Sequence, residues 1–252
     1  MRHIALEIKG KVHKSTIPSG WEDMDAKHFI DLICLAHDNS NTDALARYFG
    51  FSVGILNKID IYTAYSLGTL IPQLKEDTSL SHFIIPEVVT NNKKLKFVSP
   101  AAELYNVTFQ QFITIDTYYT WFGQTRKWEY KKMMAQVMYL KEGETLDDMD
   151  IDAREEDWKH VPIITIDAIF VNWVMIKNWL SGCYPHLFPR GGGEEKTADG
   201  KVKMSNAWSE IMDALVGEDL TRIESYRKLQ CMDVLRILNR RIKEQKENKF
   251  RK

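Results

Sequence analysis

Residues 163–180 form an almost unbroken apolar run, IITIDAIFVNWVMIKNWL, about as long as a membrane-spanning helix. Asp167, Asn172, Lys177 and Asn178 interrupt it, and each of these side chains is costly or awkward in lipid. The run therefore reads as a buried core helix, and the rest of the chain as the layers that cover it.

A chain of 252 residues with 44% hydrophobic content is long and apolar enough to bury such a core. Its 34 basic and 35 acidic side chains leave a net charge of -1, so no global electrostatic drive toward nucleic acid or an anionic membrane is present. Cys34, Cys183 and Cys231 are odd in number and far apart among apolar neighbours. They read as small buried hydrophobes in a reducing compartment, without a disulfide framework. Residues 1–14 alternate apolar and charged groups and contain no apolar stretch of the signal-peptide kind, so a cytoplasmic location is expected.

Most of the remaining patterns are helical. Asp25 is placed to cap a helix whose buried face is Phe29, Leu32, Ile33 and Ala36, and Asn41 or Thr42 caps the next, which Gly50 stops. A short helix over 52–59 leads to an apolar segment at 62–74. Residues 108–124 and 127–139 read as two helices whose short connection favours an antiparallel pair. Thr221 and Glu224 make a capping box for a long last helix striped with Cys231, Val234, Leu235, Leu238 and Ile242. Beyond Leu238 that helix becomes basic, solvated and frayed. The β-type residues are few: a strand over 3–8, and a hairpin whose Pro86 and Pro100 keep it an accessory.

The expected fold is thus mainly α, a multi-helix bundle-like domain with a small accessory β-hairpin. Residues 1–141 form a helical region with the N-terminal strand and the hairpin near 83–105, and residues 142–157 an acidic, solvated loop. Residues 158–252 form a C-terminal helical subregion with a flexible loop at 190–203 and the basic-ended terminal helix; all of it is compatible with one domain.

No catalytic motif emerges. Asp148, Asp150 and Asp152 match the first positions of a calcium loop, but Ala153 stands where the turn needs Gly and Lys159 where a bidentate Glu is needed. The seven histidines are scattered and no cysteines are paired, so no metal or cofactor is predicted. Gly191 to Gly193 and Gly200-Lys201 lack phosphate-loop geometry, and no GxSxG elbow is present. An enzyme would have to assemble dispersed groups of the type of Asp116, Tyr118 and His160. The basic tail with Phe250 is a weak nucleic-acid signal that reads better as a solubilising end or a tag for an acidic partner.

Several segments resemble proteins encoded in the tail-gene regions of tailed bacteriophages and related prophages. They are IPSGWEDM at 17–24, TFQQFI at 108–113, MAQVMY at 134–139, Trp208 with Leu215, GED at 217–219 and VLRIL at 234–238 before the charged tail. The resemblance implies a non-catalytic tail-assembly factor, chaperone-like, that covers apolar helical surface on a tail partner such as the tape-measure protein. On that reading the partner-binding groove lies near the 108–139 pair and the last helix. Phe112, Trp128, Trp208, Leu235, Leu238 and Ile242 would supply apolar contact, and Arg240 and Arg241 would supply steering. A structural virion component, a connector or tail protein, would use the same helices in permanent contacts, and a homo-oligomer is compatible with either role. Neither role involves a membrane or a cofactor.

Overall fold

The computed structural model describes residues 1–90, 95–188, 207–216 and 220–250. It begins with a hairpin in place of a lone strand: β1 (Arg2–Ile8) pairs antiparallel with β2 (Lys11–Ile17), with Ile8 opposite Lys11 and Arg2 opposite Ile17. Lys9 and Gly10 both take positive φ, 51° and 74°, which gives the two-residue turn whose twist matches that of paired strands. Only Leu6 and Ile17 of the hairpin are fully buried, so one face rests on the body.

Helices follow where expected, although the buried face of the first comprises Phe29, Leu32, Ile33 and Leu35, and Ala36, expected inside, is exposed. Asp25 accepts from the His28 N–H at 2.9 Å and starts α1 (Ala26–His37); Asn41 accepts from the Ala44 N–H at 2.9 Å and starts α2 (Thr42–Phe49). Gly50 ends α2 at φ 65°, and a Cβ there would lie 2.4 Å from the Ser15 Oγ of β2. Glycine therefore supplies both the left-handed stop and the close approach of helix and hairpin. The stretch expected to hold one short helix holds α3 (Val53–Leu56), and a second helix, α4 (Ile61–Gly68), occupies the start of the following apolar segment.

The accessory hairpin is β3 (Glu87–Val89) and β4 (Lys96–Val98), with the prolines just outside the strands. Beyond it, α5 (Phe109–Thr125) is capped by Thr108 and turns through Arg126, at φ 57°, into the antiparallel α6 (Trp128–Met138). Residues immediately after α6 form β5 (Leu140–Lys141), which joins β4 and completes a three-stranded sheet in the order β3-β4-β5.

The acidic segment is more structured than a solvated loop. It makes a 3-10 turn at Leu146–Asp148 and then α7 (Ile151–Asp157), anchored by buried Arg154. The Arg154 guanidinium pairs with Glu144, donates to the Tyr139 carbonyl at 3.1 Å and lies 4.6 Å over the Phe97 ring. Asp148 and Asp150 are helix caps here, turned to backbone N–H groups of their own segment.

The central helix is α8 (Ile163–Cys183), whose mean hydropathy of 1.4 over 18 residues would pass for a membrane span. The four polar side chains that interrupt the apolar run are each satisfied by another part of the protein, whereas the buried Trp173 ring N–H has no acceptor among the described residues. Asp167 pairs with Lys131 of α6 at 2.6 Å and His37 of α1 at 3.3 Å. Asn172 accepts from the Ile84 N–H at 2.6 Å and donates to the His82 carbonyl at 3.2 Å. Lys177 reaches Asp116 of α5 at 2.5 Å, and Asn178 donates to the Glu76 and Thr78 carbonyls at 2.7 and 2.8 Å. The polar groups thus orient α8 among its neighbours, because each is buried or half-buried with a specific partner.

The last part departs from a single long helix. After α9 (Ala207–Val216) comes a short α10 (Ile223–Arg227), a turn, and then α11 (Cys231–Phe250), which starts ten residues beyond the expected cap at Thr221. Its basic end is helical through Phe250, where fraying was expected. The expected flexible loop at 190–203 lies outside the described residues. Of the cysteines only Cys231 is buried, which pushes its thiol up to about 12; Cys34 is half-buried and Cys183 exposed. One apolar cluster runs from Leu6 and Ile17 through α1, α5, α6 and α8 to Leu235 and Leu238, so the described residues share a core.

Candidate functional site

The groove expected between the α5–α6 pair and the last helix is occupied by the protein itself. Phe112 is fully buried against Trp173, Phe188 and Trp208, with ring centroids 6.0, 6.4 and 5.4 Å away. Leu235 and Leu238 are core residues on the inner face of α11, in the same cluster as Val234 and Cys231. Trp208 is half-buried and donates its ring N–H to Asp116 at 2.7 Å. Trp128 is half-buried too, and its ring N–H is buried with no acceptor among the described residues. Ile242 marks the last half-buried position of α11 among its described side chains. From Lys243 to Asn248 every side chain is exposed, as are Arg240 and Arg241 earlier on the helix, so the distal turns of α11 leave the core. Of the expected docking residues Phe112, Leu235 and Leu238 are therefore core, Trp128, Trp208 and Ile242 are half-buried, and Arg240 and Arg241 are exposed.

A different helix presents apolar groups outward. On α4, Ile61, Tyr62 and Tyr65 are 78, 82 and 76% exposed. At 100° per residue these three fall within one arc of about 100°, with Tyr65 between the other two. Leu67 lies nearly opposite and is the one fully buried side chain of α4. α4 is thus exposed over most of its surface, aromatic side included, whereas a helix with this composition normally turns its aromatic side inward.

Local bonds hold α4 in place. Asp60 accepts from the Tyr62 and Thr63 N–H groups at 2.9 Å and from the Thr63 hydroxyl at 2.8 Å. Those Thr63 bonds hold the Asp60 carboxyl below its ordinary value, so the cap is ionised at neutral pH. Ser66 and Thr69 bond back to the Tyr62 and Ser66 carbonyls, at 2.9 and 2.7 Å. The segment is thereby a formed helix before any partner arrives.

The dispersed groups that an enzyme might combine are not joined to one another. Asp116 serves Lys177 and Trp208, Tyr118 stacks on Tyr130 at 6.5 Å, and His160 is exposed between α7 and α8. Among the described residues no hydrogen bond or ring contact joins the three, and no group of His, Cys, Asp and Glu is arranged to hold a metal ion. A cavity of about 430 Å³ opens between β4, β5 and the first turn of α5, with Lys96, Gln111, Lys141 and Glu144 in its wall. Each of these already has a partner: Glu87 for Lys96, the Val137 carbonyl for Gln111, Asp157 for Lys141 and Arg154 for Glu144. The cavity wall is a set of structural pairs with no nucleophile beside a base.

Comparisons with protein-family models, curated proteins and solved structures find no match for this chain. Its chemistry is read from the molecule alone.

Sequence reasoning missed α4 because the segment 62–74 is apolar without a clear period, and an apolar helix is expected to be buried. The legible signal was Asp60 followed by Thr63, an N-cap that starts a helix just ahead of two tyrosines.

Proposed function

We propose that this chain is a non-catalytic assembly factor of a tailed bacteriophage or prophage. It acts in the host cytoplasm as a chaperone that binds an apolar helix of a tail protein such as the tape-measure protein. The observation that carries this reading is the outward face of α4, Ile61, Tyr62 and Tyr65. A helix laid on that face would cover two tyrosines, residues favoured at interfaces because each gives large contact area with few rotors to freeze. The partner-binding role moves from Leu235 and Leu238 to α4, while Arg240 and Arg241 remain available for electrostatic steering of an acidic partner segment.

The test is co-purification of a tagged copy from cells producing particles, with mass spectrometry of both the captured proteins and the finished particles. Capture of a helical tail protein together with absence from particles is the expected result. Stoichiometric presence in particles would replace the chaperone reading with that of a structural component. Replacing Ile61, Tyr62 and Tyr65 with Ser should abolish capture and leave the thermal melt within about 2 °C of the parent, since these side chains are solvated in the free protein. Undiminished capture would reject α4 as the docking face.

A further inference from the structure

The N-terminal hairpin has an edge, along β1, that nothing among the described residues pairs with. Its sheet contains only β1 and β2, while β2 lies against α2 near Gly50. Ile8 and Lys11 close the two-residue turn, and this pair exchanges backbone hydrogen bonds in such hairpins. Bonded and non-bonded pairs then alternate, so Arg2, Ile4, Leu6 and Ile8 bond to β2. The N–H and C=O groups of His3, Ala5 and Glu7 consequently point to the opposite edge, where no backbone bond is made among the described residues. An isolated two-stranded ribbon with a row of open backbone groups is a template for another strand.

We infer that a second copy of this chain fills that edge, β1 against β1, antiparallel about a two-fold axis through Ala5. The register follows from the strand itself. Only odd-numbered residues offer outward backbone groups, so odd must face odd, and the pairing that uses all three sets Ala5 opposite Ala5 and His3 opposite the second copy's Glu7. In that register the imidazole of His3, whose Nδ1 lies 3.0 Å from the Thr16 hydroxyl of β2, has its other ring nitrogen left to meet the carboxylate of Glu7, twice by symmetry, on the outer face where all three odd residues are exposed. On the inner face half-buried Ile4 falls opposite the second copy's buried Leu6, which continues the apolar row from one hairpin into the next. A shift of two residues either way leaves two of the three bonded residue pairs and breaks the His3 to Glu7 match. Charge, apolar pattern and hydrogen-bond parity thus select the same pairing, and the product is a four-stranded antiparallel sheet across two molecules. This contact holds whether or not a tail protein docks on α4, which lies on a separate element.

The experiment is analytical ultracentrifugation of the full chain, tagged only at its C-terminus, across the micromolar range, with amide hydrogen exchange at high and low concentration. The expected results are twice the mass of one chain and slow exchange at Ala5 in the concentrated sample only. Ala5→Pro removes an N–H that the hairpin does not use and is compatible with an edge strand, so it should give a monomer with an unchanged melt. Glu7→Lys should weaken dimerisation about ten-fold, and adding His3→Glu should restore it to within about two-fold by re-creating opposite charges in the same register. The charge-swap pair decides the matter even if the proline variant folds poorly. A wild-type chain that stays monomeric, a dimer indifferent to both Ala5→Pro and Glu7→Lys, or slow exchange at Ala5 that appears only with a different polypeptide present would overturn the inference. Dimerisation should also survive the triple Ser replacement on α4, which separates failure of this contact from failure of the tail-partner reading.

Discussion

Asp116 shows what single residues do in this core. It is buried on α5, and it takes Lys177 from α8 on one oxygen and the Trp208 ring N–H from α9 on the other. The Lys177 ammonium also lies 4.7 Å over the Phe188 ring, so the charge is held in a mostly aromatic setting. Replacing Asp116 with Ala would leave that ammonium without its counter-ion and should cost about 3 kcal/mol in urea unfolding. Replacing Lys177 with Met in the same molecule should recover most of the loss, because an apolar pair tolerates that site better than an orphaned charge. Equal destabilisation by the single and double changes would mean that packing, with no contribution from the charge, sets the effect. From sequence Asp116 was no more than one dispersed polar group among many. Its partners are 61 and 92 residues away, and no local pattern encodes such a distance.

At the scale of elements, helices were legible where a cap and a period coincide. Asp25, Asn41 and Thr108 are observed N-caps, and the α5–α6 pair forms where its short connection favours it. The last helix was half legible. Its stripe is real, but the turn at residues 228–230 displaces its start, and the Phe109 N–H bonds to the Leu229 carbonyl at 2.8 Å, tying that turn to α5. Two changes in α11 test the division between core and free helix. Asp at Leu235 and Leu238 should unfold the protein, since two charges would enter a closed apolar site at a cost exceeding about 5 kcal/mol. Truncation before Lys243 should leave the melting temperature unchanged within about 2 °C, because the side chains from Lys243 to Asn248 are exposed and their ion pairs, Arg240 with Glu244 and Lys243 with Glu247, are solvated ones along α11 itself. A large loss on truncation would show that the distal turns pack on something.

For the whole molecule, acid stability follows from its caps. Asp60 and Asp148 are held below their ordinary value of 3.8, the first by the Thr63 backbone and hydroxyl, the second by the Thr145 hydroxyl and backbone. A carboxylate whose value is depressed on folding contributes stability that is fully present above the unfolded value and is lost as pH falls through the folded one. Urea midpoints should therefore be level from pH 7 to about pH 5 and fall below about pH 4. A decline that begins near pH 6 would point to other groups.

The sequence alone determined the class of the fold, mainly helical with a small accessory sheet. Periodicity, caps and the turn-rich prolines act within a few residues, so their outcome is written locally. It also determined that α8 would carry polar groups within an apolar run. Only the tertiary structure decided what those groups meet, which stripes are closed over and which face stays open. Leu235 and Ile61 are both apolar helical residues, yet the first is sealed and the second solvated. Burial depends on what packs from elsewhere in the chain, and β1 has an open edge because no third strand among the described residues arrives to cover it.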